Sequence, residues 1–342
     1  MRRLVAPIII LTILFGVEGV ARRIESRMPT PLLWDTQFTQ DKADQIAGLG
    51  DQLEVVFAGS SVVQANVDPV LFVETSAQYD TAYNAAIPSA TPRIWREWIR
   101  DTIYLETCPA VIVIGVDLRQ FSDNKPGTNG QLHRYLTSRG RDNAIGNADG
   151  WEQAEDWLED QSALFRLRSR IREPDKVVAW VWEIGDLGDW RYTNLTPLGR
   201  YGSFDNVVYE RSPERIEILS NGAFLDLSLG GAETDALRMM IVDAFDHGAL
   251  PVLVEMPTMY DQLAKALPNG NADIETFSAI LEGVAAEFGI PLIRLPELDN
   301  RPELFADEYH MNRTGVDTVT PLLAKRIDAL NLDAATGICD PP

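Results

Sequence analysis

Glu54-Val55-Val56-Phe57-Ala58-Gly59-Ser60-Ser61 is the stretch that decides the fold: an apolar run that stops abruptly at a glycine and two serines. A run without alternation reads as a strand buried on both faces, the habit of parallel sheets. Glycine at its end permits a sharp exit of the backbone. A serine placed there sits at the carboxyl edge of the sheet, where open α/β folds bind ligands. Ser61 can be a nucleophile, but a hydroxyl is weak alone and needs a base. It can equally be a helix cap.

The same pattern repeats outward from that strand. Residues 79–83 predict a second strand, followed by the small-residue loop Asn84-Ala85-Ala86-Ile87-Pro88-Ser89-Ala90-Thr91. Helices are expected over 69–78 and 92–106, the second with Ile94, Trp95, Trp98 and Ile99 on one face. Residues 110–116 are an unbroken apolar run, hence a third strand, with Asp117 and Arg119 just beyond its end. Alternating strands and helices at this spacing argue for parallel pairing with right-handed crossovers. The rhythm breaks between about residues 120 and 230 and then returns. A helix over 233–247, a strand over 250–255, a helix over 274–288, a strand over 290–295 and a last helix over 316–330 complete the pattern. The expected fold is a three-layer α/β/α sandwich, flavodoxin-like, with a parallel sheet of about five strands and a partly helical insertion. Neither G-x-G-x-x-G nor a P-loop follows the first strand, so nucleotide binding finds no support.

Within the insertion a polar helix is expected over 151–172. Five of the eight tryptophans fall between Trp151 and Trp190. They suit either the insertion's own core or a surface that stacks on sugar rings.

The chain supplies a base for Ser61 near its far end. Only three histidines occur: His133, His247 and His310. His133 and His247 have no serine or carboxylate arrangement beside them and read as surface residues. His310 lies in Glu303-Leu304-Phe305-Ala306-Asp307-Glu308-Tyr309-His310-Met311-Asn312-Arg313-Thr314-Gly315, after the last strand and on the same sheet edge as Ser61. Asp307, three residues earlier, can orient its imidazole in a turn. The imidazole can then take the serine's proton. No histidine or cysteine cluster supports a metal, and no cofactor is expected.

Composition sets the remaining bounds. The 342 residues, 45% hydrophobic and 24% charged, suffice for a sizeable core. The net charge of −21 opposes binding to nucleic acid or to anionic lipid. Two cysteines, Cys108 and Cys339, make neither a disulfide framework nor a zinc site; two unpaired thiols are expected, with a single bridge as the alternative in an oxidising compartment. Met1-Arg2-Arg3, fourteen uncharged residues over 4–17, then Arg22-Arg23 fit an export signal. It is either cleaved after Ala21 or kept as an anchor, although the run is short for a span. The organisation expected is a signal or anchor over 1–23, a spacer with a short helix over 24–52, a domain over 53–332 interrupted at about 120–230, and a tail over 333–342.

With these residues in place, the chain resembles the SGNH (GDSL-like) hydrolase superfamily over roughly 54–114 and 250–327. The family's Gly-Asp-Ser block becomes Gly59-Ser60-Ser61, and its Asp-x-x-His block is matched by Asp307 and His310, followed by Asn312 and Gly315. The resemblance implies Ser61 as nucleophile, His310 as base and Asp307 as orienting acid. It also implies an oxyanion hole from the N–H groups of Ser61 and Ser89, Ser89 standing where the family has glycine. The asparagine of the family's third block is missing: the strand ends Gly115-Val116-Asp117. The implied activity is that of an exported, periplasmic and tethered or secreted acyl-ester hydrolase or O-acyltransferase. O-acetyl groups of an envelope polysaccharide are the leading substrate, with an acylated small molecule, a lipase or a thioesterase as alternatives. A non-catalytic glycan-binding protein with this fold is the rival reading.

Overall fold

The computed structural model describes residues 15–23, 34–124, 157–158, 161–166, 196, 198–200 and 202–332. The chain divides into two compact units, Met1–Phe38 with Leu136–Thr193, and Thr39–Tyr135 with Asn194–Pro342.

The second unit carries the sheet. Helix α1 (Trp34–Leu49) leads to strand β1 (Val55–Gly59). Then come helix α2 (Ser61–Asn66), helix α3 (Pro69–Thr75) and strand β2 (Ala82–Asn84). Helix α4 (Pro92–Trp98) runs on through a π-helical turn, Ile99–Ile103, to Glu106, and strand β3 (Val111–Val116) follows. After the insertion come α5 (Pro213–Asn221), α6 (Ala232–Asp246), β4 (Leu250–Glu255), α7 (Tyr260–Ala266), α8 (Asn271–Phe288), β5 (Leu292–Arg294) and α9 (Arg313–Asp328). The strands lie in the order β2-β1-β3-β4-β5, all pairs parallel. Helices α2, α3 and α9 pack together, as do α4 and α6, with α8 against α6, β4 and β5. Right-handed crossovers put these two groups on opposite faces of the sheet. The fold is thus the expected three-layer α/β/α arrangement. Burial on both faces explains why β1 and β3 read as continuous apolar runs: every residue of both is buried.

Two glycines set the edge where the site forms. Gly59 and Gly115 are register partners at the carboxyl ends of β1 and β3. Gly59 has φ 152°, and a Cβ there would lie 2.6 Å from Gly115 O. The chain turns out of β1 at this point because no side chain blocks the close approach.

Three expectations are corrected. The stretch read as a spacer with a short helix carries α1, a full sixteen residues, whose Lys42 and Ile46 are completely buried. Burial depresses the Lys42 ammonium well below its ordinary range. Its Nζ donates to Asn84 O and, at 2.8 Å, to Gly199 O, which ties the part of α1 from Thr39 onward to the second unit. Cys108 is disulfide-bonded rather than a free thiol. His247 is half-buried, with its ring stacked on Tyr104 at 4.1 Å and Nδ1 2.7 Å from Asp243 O. It is a packing residue and not a plain surface histidine.

In the first unit, residues 15–23 form a helix. Glu18 accepts hydrogen bonds from Ser162 Oγ (2.8 Å), Ala163 N (2.9 Å) and Leu164 N (3.2 Å) at the start of the helix Ala163–Arg166. Ala21 is buried against Ala163. Residues 1–14 and most of the helix expected over 151–172 lie outside the described residues. Among the described residues no helix is long and apolar enough to cross a membrane.

Candidate active site

The two serines after β1 divide two tasks. Ser60 is the N-cap of α2: its Oγ accepts from Val62 N at 3.2 Å. It also donates to Asp117 Oδ2 at 2.8 Å, which ties the ends of β1 and β3. Capping is therefore done by Ser60, which leaves the Ser61 side chain to face outward at the sheet edge.

The loop before α9 closes on itself. Asp307 Oδ1 accepts from the backbone N–H groups of Tyr309 (2.9 Å) and His310 (2.8 Å). Ala306 N donates to His310 O at 2.8 Å. Asn312 caps α9 through Gly315 N (3.1 Å) and donates to the carbonyls of Glu303 and Phe305. Gly315 is needed because a Cβ would strike Leu304 O at 2.1 Å. This local network turns the other carboxylate oxygen, Oδ2, to His310 Nδ1 at 2.7 Å.

Asn66, the last residue of α2, brings serine and loop together. Its Nδ2 donates to Tyr309 O (3.0 Å) and its Oδ1 accepts from Met311 N (2.8 Å), gripping the backbone on both sides of His310. His310 Nε2 then lies 2.9 Å from Ser61 Oγ. Asp307 at Nδ1 fixes the tautomer with the proton on Nδ1, so Nε2 is free to accept from the serine hydroxyl. The structure thus places Ser61, His310 and Asp307 in one hydrogen-bonded chain.

Three neighbours come from parts of the sequence that carried no motif. The Phe204 ring stacks on the His310 ring at 4.1 Å, nearly parallel. Its segment is pinned by Arg200, which pairs with Asp205 and donates from Nε to Ala65 O at 3.2 Å. Arg215, in the first turn of α5, makes ion contacts with Asp307 Oδ2 (2.7 Å) and with the fully buried Glu308 (2.5 Å). Burial pushes the Asp307 carboxyl up, but the His310 and Arg215 interactions together outweigh it and hold it well below the usual carboxylate range. Arg119, in the turn after β3, places Nη2 3.4 Å from Ser61 Oγ, its guanidinium resting 4.6 Å from the centre of the Tyr309 ring. A basic residue three positions beyond the end of β3 was visible in the sequence as a signal for this last one.

The loop carrying Ser89 continues alongside β1: Ala85 N donates to Phe57 O (2.8 Å) and Ile87 N to Gly59 O (3.0 Å). Ser89 itself is exposed and has φ 61°, the left-handed conformation that glycine adopts most freely. His133 lies outside the described residues. Among the described residues no group of three or more His, Cys, Asp and Glu side chains could hold a metal ion.

A second, polar cleft opens at the ends of β4 and β5, lined by Glu255, Tyr260, Ser278, Arg294 and Asp299. Glu255 is satisfied there by Tyr260, Ser278 and Arg294. Burial raises the Asp299 carboxyl to about 7, against the opposing hydrogen bond from Thr258 N.

No family model matches the chain, and neither does any curated protein. Among solved structures, the chain is similar to an acetyl xylan esterase at 14% identity, covering 81% of this chain and 98% of that one, with a TM-score of 0.39. It is similar also to a mutant of an acetyl-xylooligosaccharide esterase from Geobacillus Stearmophilus at 9% identity, covering 83% and 95%, again with a TM-score of 0.39.

Proposed function

We propose that the chain is an exported serine acyl-ester hydrolase or O-acyltransferase acting on O-acetyl groups of an envelope carbohydrate. The observation that carries the chemistry is the chain of contacts from Ser61 Oγ through His310 to Asp307, 2.9 Å and 2.7 Å. In the proposed mechanism Ser61 Oγ attacks the ester carbonyl carbon while its proton passes to His310 Nε2. The carbonyl pair moves onto oxygen, which the N–H groups of Ser61 and Ser89 face. Collapse expels the alcohol, which takes the proton back from His310. Water or a sugar hydroxyl then repeats the steps on the acyl-serine, and that choice of acceptor separates hydrolase from transferase. Asp307 keeps the ring in the tautomer that can accept.

The acetyl and carbohydrate parts of the reading rest on the family resemblance. Export rests on the amino-terminal pattern and is in keeping with the disulfide at Cys108, since such bonds persist in oxidising compartments. Of the two forms of export, retention of the segment is favoured: cleavage after Ala21 would remove Glu18, which caps the helix at Ala163. Labelling by a fluorophosphonate tests the chemistry. Covalent attachment at Ser61, lost in Ser61→Ala and His310→Ala, is the expected result; no labelling of well-folded protein favours the glycan-binding reading.

A further inference from the structure

Arg119 carries its charge beside the serine hydroxyl without a direct ion pair among the described residues. Its hydrogen bond goes to Ser61 Oγ, and its guanidinium carbon lies over the Tyr309 ring. Among the described residues it pairs with no carboxylate, and its Nε is buried without a hydrogen-bond partner. The nearest acidic residue in sequence, Asp117, gives Oδ2 to Ser60 and makes no ion pair with Arg119. In a chain of net charge −21, a guanidinium left unpaired inside a partly buried site is poised for negative charge that comes and goes.

We propose that Arg119 is a catalytic residue that donates from Nη2 to the oxyanion formed at Ser61, in the place where the chain lacks an asparagine. The inference rests on the acyl-transfer reading given above. The geometry fits the reacting atoms. When Ser61 Oγ bonds to the carbonyl carbon, the oxyanion is one bond beyond that carbon, so it forms next to Oγ. A donor 3.4 Å from Oγ in the resting protein is then within reach of the new oxygen. The electron balance needs no other group. The carbonyl pair moves to oxygen, the serine proton goes to His310 Nε2, and Arg119 donates a hydrogen bond without giving up a proton. The cation–π contact with the Tyr309 ring, 4.6 Å from its centre, holds the guanidinium in place, so little reorganisation is needed as charge develops. A charge-assisted hydrogen bond is also stronger than the neutral amide donor it replaces.

The test is steady-state hydrolysis of p-nitrophenyl acetate by wild type, Arg119→Ala, Arg119→Lys and Arg119→Gln, with circular dichroism to establish that each is folded. Arg119→Ala is expected to lower kcat by about 10²–10³ with KM changed only about threefold. Arg119→Gln, which keeps a neutral donor, should recover part of that loss. Affinity for a trifluoromethyl ketone, which forms an oxyanion on the serine, should fall with kcat, whereas a role confined to shaping the pocket would not move it in step. Full kcat in Arg119→Ala, or a change confined to KM, overturns the proposal while leaving the esterase reading intact. A wild type that neither hydrolyses the ester nor takes a fluorophosphonate overturns both.

Discussion

Arg215 reaches the same Asp307 oxygen that accepts from His310: Nη2 lies 2.7 Å from Oδ2, and His310 Nδ1 is also 2.7 Å from it. The same guanidinium neutralises Glu308, which is completely buried. Removing only the arginine leaves a buried carboxylate without a counter-charge. Arg215→Gln should therefore cost about 2–3 kcal/mol, below the 3–5 typical of fully buried pairs because Arg215 is half exposed. The double variant Arg215→Gln/Glu308→Gln should recover most of it. Urea unfolding of the two singles and the double decides: simple additivity would show that the contact carries no coupling.

The same contact has a signature in acid. The Asp307 carboxyl is held below its unfolded value, so its contribution is present above the ordinary carboxylate range and is lost as pH falls through the depressed folded value. Arg215→Gln should move the acid-unfolding midpoint to higher pH. An unchanged midpoint by far-UV circular dichroism would remove Arg215 from this role.

Asp307→Asn probes the tautomer. Oδ1 receives two backbone N–H groups, so the amide oxygen will stay there and its NH2 will face His310 Nδ1. That arrangement forces the ring proton onto Nε2, where it can no longer accept from Ser61. We expect kcat/KM on p-nitrophenyl acetate to drop by about 10⁴, together with a loss of stability because the amide NH2 also faces the Arg215 guanidinium. Retention of more than about a tenth of the activity would contradict the assigned role.

Gly115 and Gly59 make opposite predictions about rescue. A Cβ on Gly115 would meet Val63 Cγ2 at 2.3 Å and Met256 Sδ at 3.1 Å, both side-chain atoms. Gly115→Ala should cost about 1–3 kcal/mol, and Val63→Ala in the same chain should relieve it. Gly59→Ala meets the carbonyl of Gly115 at 2.6 Å and has φ 152°, so no side-chain change will restore it. Melting temperatures of the two double variants separate the cases.

Asp299 predicts a stability effect of the other sign. Its carboxyl is raised from 3.8 to about 7, so the neutral form suits the folded state. Its contribution is complete below the unfolded value and disappears as pH rises from about 4 to 7. Asp299→Asn keeps the acceptor for Thr258 N and removes the charge. It should melt a few degrees higher than wild type at pH 8 and at the same temperature near pH 4. Equal melting at both pH values would show the group to be solvated.

What the sequence revealed follows from how local each signal is. β4 matches its expected span of 250–255 residue for residue, and the helical run opened by α4 ends at Glu106 as the helix over 92–106 predicts, because buried strands and amphipathic helices write their period into adjacent residues. Asp307 and His310 were legible because they are three residues apart. α2 was missed: six residues carry too few turns for a period. The start of α5 was overlooked although Ser212 followed by Pro213 is a cap signal. Phe204 and Arg215 could not be assigned from sequence, since their partner lies about a hundred residues away and no pattern joins them to it.

Asn66 grips the chain at Tyr309 and Met311 across more than 240 residues. A clasp of such long range makes assembly of the relay one of the last events in the life of a new chain. Ribosomes deliver Ser61 early, yet the imidazole has no address until the closing helix has been made and has docked. Non-local pairings of this kind are slow to form. A chain cut short before α9 would keep its serine and lack the order around its base. Activity would then switch on only once α9 has docked and Asn66 has gripped the loop.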